Sequence, residues 1–252
     1  MIRVLAALLA MISPAAALVG GARQADGVHA HALVVIVGSR GTFCTGAAIA
    51  RDLVLTAAHC VTPGAEYRIL EYAPASAPAL REIAAIVRHP QFDLRAMLAH
   101  RATADVALIK TRAALPDKVR PARLGGALQA IAPGDRFVVA GFGVAVRGDG
   151  RTGGVARAAA LIATGRPGAL QVRLTDPTAR GERPGLGACT GDSGAPVFQE
   201  RAGGLAVIGV VSWSTGPKLT AGCGGLTGVT PIARYRDWIV ETAQAMGIAL
   251  HR

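Results

Sequence analysis

The sequence predicts an all-β protein, and three observations predict it. Apolar residues make up 51% of the 252-residue chain, enough to bury a sizeable core and to exclude disorder. They fall in short runs separated by Pro and Gly turn signals, the pattern of a β-sandwich or barrel. Glycine is abundant, at 32 residues, but has no triplet period, which excludes collagen and supplies many turns.

Taken in order, Met1–Ala17 reads as a secretory signal peptide. Arg3 supplies the positive start and Val4–Ile12 the apolar run; Ser13-Pro14 breaks it, and Ala15-Ala16-Ala17 offers a small-residue cleavage site. That run is far shorter than the roughly 20 residues a bilayer needs, so no stable membrane anchor is expected. The protein is therefore expected outside the cell or in the periplasm.

Strands are expected at Ala32–Val37, Thr45–Ala50, Leu53–Thr56, Tyr67–Leu70, Ile83–Arg88 and Val106–Lys110. A second set follows at Arg136–Ala140, Ala158–Ile162, Leu170–Thr175, Ala195–Phe198 and Leu205–Trp213. Several are continuous apolar runs, as expected of strands buried on both faces. Loops fall at Ala73–Ala79, Arg147–Gly154 and Asp176–Gly187, where Pro, Gly and charge gather. The Pro-rich stretch Leu115–Pro133 separates the two strand sets, dividing the processed chain into units at 18–125 and 126–252. Only the C-terminus is helical in pattern: Tyr235, Trp238, Ile239, Ala243 and Met246 share one helix face, and Gly247 stops it. That helix is expected to dock back onto the domain.

Lys and Arg total 27 against 16 Asp and Glu, a net charge of +11. Nucleic-acid binding is the blunt reading of such a balance. The arginines stand singly, at Arg112, Arg120, Arg136, Arg147, Arg157 and Arg173, which points instead to a solvated basic surface. Export makes disulfide pairing the default for Cys44, Cys60, Cys189 and Cys223; spacing alone allows three connectivities. No C-x-x-C pair and no acidic cluster between Tyr67 and Arg81 is present, so neither metal nor cofactor is expected.

Three segments carry chemistry. Leu55-Thr56-Ala57-Ala58-His59-Cys60 ends a strand, Asp105-Val106-Ala107-Leu108-Ile109-Lys110 opens one, and Cys189-Thr190-Gly191-Asp192-Ser193-Gly194-Ala195-Pro196 is a glycine-punctuated turn. A serine hydroxyl needs a base at hydrogen-bond distance to act as a nucleophile. Histidine takes and returns that proton near neutral pH, and a buried carboxylate fixes its tautomer. Glycines beside the serine let backbone N–H groups, here of Gly191 and Ser193, approach a developing oxyanion. Singly each segment is weak; together, in an exported all-β chain, they read as a hydrolase site.

These three blocks resemble the signatures of the trypsin/chymotrypsin family of serine endopeptidases, and the likeness spans roughly Leu18 to Met246. It implies two six-stranded antiparallel β-barrels with the active site between them and a C-terminal helix. It also implies His59 as base, Asp105 as its orienting partner, Ser193 as nucleophile, and Gly191 and Ser193 as oxyanion hole. Ser212 matches the family serine that hydrogen-bonds the triad carboxylate, and Phe142 stands where a tryptophan is usual. The family pairs its cysteines as Cys44–Cys60 and Cys189–Cys223.

Leu18-Val19-Gly20-Gly21 resembles the family's processed start, whose ammonium pairs with the residue here numbered Asp192. Signal cleavage after Ala17 would itself create that terminus. Gly187 stands where trypsin-like members carry a pocket-floor Asp, so an uncharged side chain, small-to-medium or aromatic, is expected before the cut bond. Ala188, Thr190, Ser212, Trp213 and Ser214 are the other expected substrate contacts, with Thr227 or Gly228 as the opposite wall and Lys218 in solvent. The expected partners are polypeptide substrates and a protein inhibitor, with no nucleic acid, for a monomer. An inactive protease-fold binding protein is the alternative, although no triad residue is missing.

Overall fold

A computed structural model describes residues 18–71, 78–125, 131–201 and 204–250. The expected signal peptide, most of the expected Ala73–Ala79 loop and part of the Leu115–Pro133 stretch lie outside the described residues.

Among the described residues fourteen strands form: β1 (Arg23–Gln24), β2 (Leu33–Gly38), β3 (Phe43–Ala50), β4 (Leu53–Thr56), β5 (Tyr67–Glu71), β6 (Ala79–Arg88), β7 (Ala107–Thr111), β8 (Arg123–Leu124), β9 (Arg136–Gly141), β10 (Arg157–Thr164), β11 (Val172–Thr175), β12 (Pro196–Arg201), β13 (Gly204–Ser214) and β14 (Leu226–Pro231). The first barrel closes in the order β2-β3-β4-β7-β6-β5. The second runs β9-β10-β11-β14-β13-β12, and pairing of β9 with both β10 and β12 closes it. Both rings are antiparallel and repeat one strand order. β1 adds to β10, and β8 runs parallel to β13.

The apolar runs are explained by burial on two sides. Val54 of β4 points into the first barrel with Val34, Ile36, Ile69 and Ile109, while Leu53 and Leu55 point out to the core shared by both barrels. That shared core holds Leu108 and Val106 of one half, Phe198, Val207 and Val210 of the other, and Ile239 and Ala243 of the terminal helix. Full burial of a leucine contributes about 2 kcal/mol, so this seam stabilises the cleft beside it as a fixed joint.

The terminal helix, α3 (Arg236–Ala245), buries Ile239, Val240 and Ala243, and Gly247 ends it at φ 78°. Two short helices, α1 (Gly27–Ala30) and α2 (Leu94–Leu98), had no signal in the apolar pattern; each is capped by an aspartate, Asp26 and Asp93. β14 was also missed. Its Leu-Thr-Gly-Val-Thr-Pro contains a glycine and a proline, and Gly228 is there because the Trp213 ring occupies the space a Cβ would fill. No helix among the described residues is long and apolar enough to cross a membrane.

Candidate active site

β4 ends at Thr56, and the chain tightens into a single turn, Ala58–Val61, that carries His59. The Cys44–Cys60 disulfide ties this turn to β3. Asp105 stands just before β7, and β7 pairs with β4, so strand register alone brings the carboxylate under the imidazole. Asp105 is completely buried. It accepts from the His59 backbone N–H at 2.9 Å, from Nδ1 at 2.8 Å and from the Ser212 hydroxyl at 2.5 Å. An ionised carboxylate offers only lone pairs, so the proton of a neutral His59 sits on Nδ1 and leaves Nε2 as the acceptor.

Thr45 of β3 is the residue that joins the halves. Its N–H donates to the Ser193 carbonyl, its hydroxyl donates to the Gly191 carbonyl, and its own carbonyl accepts from Thr56. Gly194 adopts φ 76°, and a Cβ there would overlap Thr56 Oγ1 at the end of β4. Only glycine therefore lets the Ser193 turn press against the strand that leads to His59. The N–H groups of Gly191 and Ser193 donate to no protein group among the described residues. The Ser193 hydroxyl likewise makes no hydrogen bond among them. The relay is closed from Ser212 through Asp105 to His59 and open between His59 and Ser193.

Residues 18–239 match the sequence profile of the family described as Trypsin. The chain belongs to the trypsin family. It is 31% identical over 228 residues to "Serine protease 1" of Canis lupus familiaris, covering 81% of each chain. It is 27% identical over 223 residues to "Trypsin" of Phaedon cochleariae, covering 80% of this chain and 79% of that one. It is 26% identical over 212 residues to "Kallikrein-8" of Homo sapiens, covering 81% and 78%. A solved structure described as "Atomic resolution structure of HBP" superposes with TM-score 0.69 at 24% identity, over 90% of this chain and 97% of that one; it shows the same trypsin-family fold.

On the second barrel Gly187 and Ala188 are buried, and the Ala188 N–H donates to the buried Thr227 hydroxyl at 3.0 Å. The register pairs Ser214 with Thr227 and Trp213 with Gly228. Thr190 is exposed, and the Cys189–Cys223 disulfide joins its loop to the segment before β14. Lys218 is exposed, held away by its N–H donating to the Gly181 carbonyl. The His100 ring stacks on Trp213 with centroids 4.6 Å apart, a contact the sequence did not announce.

Asp176 was also hidden. Buried, it accepts from the N–H groups of Thr178, Ala179 and Leu186. These donors outweigh burial and hold its carboxyl below the usual range. One residue beyond Leu186, Gly187 forms a bridge with Val19. Leu18 is fully buried among Phe137, Ala188 and Ala195.

Asp192 is fully buried and accepts from Gly143 N–H and Cys189 N–H, both at 2.9 Å. Burial nevertheless raises its pKa to about 7. Arg157 overturns one expectation: it is not part of the solvated basic surface but is 8% exposed, on the inward series of β10 with Ala159, Leu161 and Ala163. Cys44, His59 and Cys60 also cluster as metal-ligand types, but both sulfurs are spent in the disulfide. A separate cavity of about 240 Å³ opens by Leu33, Leu70, Glu71 and Arg81, with none of the relay residues in its lining.

Proposed function

We propose that the chain is an exported serine endopeptidase that works through an acyl-enzyme. Ser193 Oγ attacks the scissile carbonyl while His59 Nε2 takes its proton. Asp105 stabilises the imidazolium that forms, and the N–H groups of Gly191 and Ser193 receive the oxyanion. His59 then returns the proton to the leaving amine, and water repeats the sequence to release the acid. The observation that carries this reading is the buried Asp105 binding His59 Nδ1, with Ser193 held against the same strand end by Thr45.

Removal of the residues before Leu18 would free an ammonium beside the second barrel's core, where it could pair with the buried Asp192. Signal cleavage after Ala17 would then be export and activation at once. N-terminal sequencing of the exported protein tests this step: a start at Leu18 is expected, and a start well upstream would contradict it.

A primary pocket built from Gly187, Ala188, Ser214 and Thr227 would favour small-to-medium uncharged side chains over bulky aromatic ones. Gly187 supplies no charge, and the ladder partners Ser214 and Thr227 would narrow the space with side chains of their own. Digesting a denatured protein mixture and sequencing the new termini by mass spectrometry tests both activity and preference. Cuts after Ala, Val, Thr or Leu are expected, and none with Ser193→Ala. Dominant cuts after Lys or Arg would overturn the pocket assignment, and no cuts at all would turn the reading to a binding protein on the same fold.

A further inference from the structure

We propose, on the protease reading above, that Arg157 is a built-in second cation for Asp192: a positioning residue that holds the oxyanion-hole turn when no N-terminal ammonium is available. Two situations call for it. One is the uncut chain, in which Leu18 carries a peptide bond; the other is alkaline solution, in which a freed amino group loses its proton.

The placement follows from strand geometry. Arg157 is the direct cross-strand partner of Gly141. Paired residues of an antiparallel ladder send their side chains to the same face. At Gly141 that face is occupied by the Asp192 carboxylate, since a Cβ there would overlap Asp192 Oδ1 and lie 3.2 Å from the Ala195 Cβ. Gly143 is likewise bare, and a Cβ on it would collide with the same carboxylate. Two absent side chains at the end of β9 therefore make room for Asp192, and the residue across the ladder is an arginine.

Burial makes this arrangement consequential. Asp192 is fully buried, and Arg157 is nearly so. The elements packed around the carboxylate contribute Gly141, Gly143, Ala195 and the disulfide-bonded Cys189, none of which titrates. Among the described residues, Arg157 is the charged side chain that acts on it, lowering the pKa that burial raises. Burial in turn lowers that of Arg157, and Asp192 opposes that shift. A guanidinium remains charged far above the range in which an α-amino group, near 8, loses its proton. Asp192 precedes Ser193 and follows Gly191, so fixing its carboxylate fixes both N–H groups of the proposed oxyanion hole.

The test compares the full chain with the processed chain starting at Leu18, each as wild type, Arg157→Met and Arg157→Lys. The readout is the rate of covalent labelling by a fluorophosphonate between about pH 7 and pH 10.5, a span that crosses the α-amino range. In wild type, the full chain is expected to label about tenfold more slowly than the processed one, and the processed chain to keep its rate at high pH. Arg157→Met is expected to slow the full chain by about 100-fold, equal to two pKa units of lost pairing, and to give the processed chain a new alkaline fall. Arg157→Lys should restore most of both, with near-UV circular dichroism confirming the fold of each variant. Unchanged full-to-processed ratios and alkaline profiles in Arg157→Met would overturn the proposal.

If wild type does not label at all, the protease reading fails separately. The carboxyl ¹³C shift of Asp192 then decides the pairing. Its titration midpoint should rise by about one pH unit or more in Arg157→Met. An unmoved midpoint would overturn the pair itself.

Discussion

The two barrels share a strand order, yet each presents its part of the site by different means. In the first, His59 and Asp105 hang from the ends of paired strands, β4 and β7, and a single register sets their separation. In the second, Ser193 and Gly191 lie on a loop, as do Gly187 and Ala188, while Ser212, Trp213, Ser214 and Thr227 sit on β13 and β14. Buried carboxylates shape those loops: Asp192 binds Gly143 and Cys189, and Asp176 binds Thr178, Ala179 and Leu186. A barrel can carry a base on regular ladder hydrogen bonds, because only one side chain must be aimed. The N–H groups of Gly191 and Ser193 have no ladder partner among the described residues, and charged acceptors behind the loop supply its shape.

This contrast is open to being broken, beginning with the largest effect. Ser193→Ala and Asp105→Asn should each lower kcat/KM by about 10⁴-fold or more while leaving the melting temperature within a few degrees. A large loss of stability in Asp105→Asn would show that the first barrel needs its buried charge as much as the second does. Asp176→Ala should do the reverse, costing about 3 kcal/mol of stability by leaving three N–H groups without their acceptor, and raising KM more than it lowers kcat. Because the folded pKa of Asp176 lies below its ordinary 3.8, its contribution is complete above that value and lost as pH falls through the folded one. Urea melts of wild type and Asp176→Asn should therefore converge in strong acid.

A smaller effect is expected of Ser212→Ala. It removes one donor from a carboxylate that keeps two others, a loss of about 1.4 kcal/mol, or tenfold in kcat/KM. The smallest concerns the joint between the halves. His89, at the end of β6, packs edge-on against Tyr235 and Trp238, each 4.9 Å away, and burial lowers its pKa from 6.5. The folded protein thus resists protonating it, so stability should be full above about pH 6.5 and decline below. His89→Phe should flatten that acid slope in thermal melts.

Most of the ladder was legible because period and punctuation are local properties. Leu53–Thr56 is bounded as its residues read, and β2, β3, β5, β7 and β9 differ by a residue or two. β14 was not, since its glycine answers to a tryptophan on another strand. The chemical groups were legible because His59, Asp105 and Ser193 each sit in a short distinctive block. Thr45, Asp176, His100 and Arg157 gave no such signal. Thr45 is an ordinary strand residue until Ser193 lies across it, and Arg157 is one arginine among many until Gly141 pairs with it.

The meeting of the two halves at Ser193 is tested most directly by a fluorophosphonate probe followed by peptide mass mapping of the labelled protein. One adduct, on Ser193, is expected at neutral pH, with labelling abolished in His59→Ala although the hydroxyl remains. Labelling that persists without the imidazole, falls on another residue, or does not occur would contradict a working relay between the barrels.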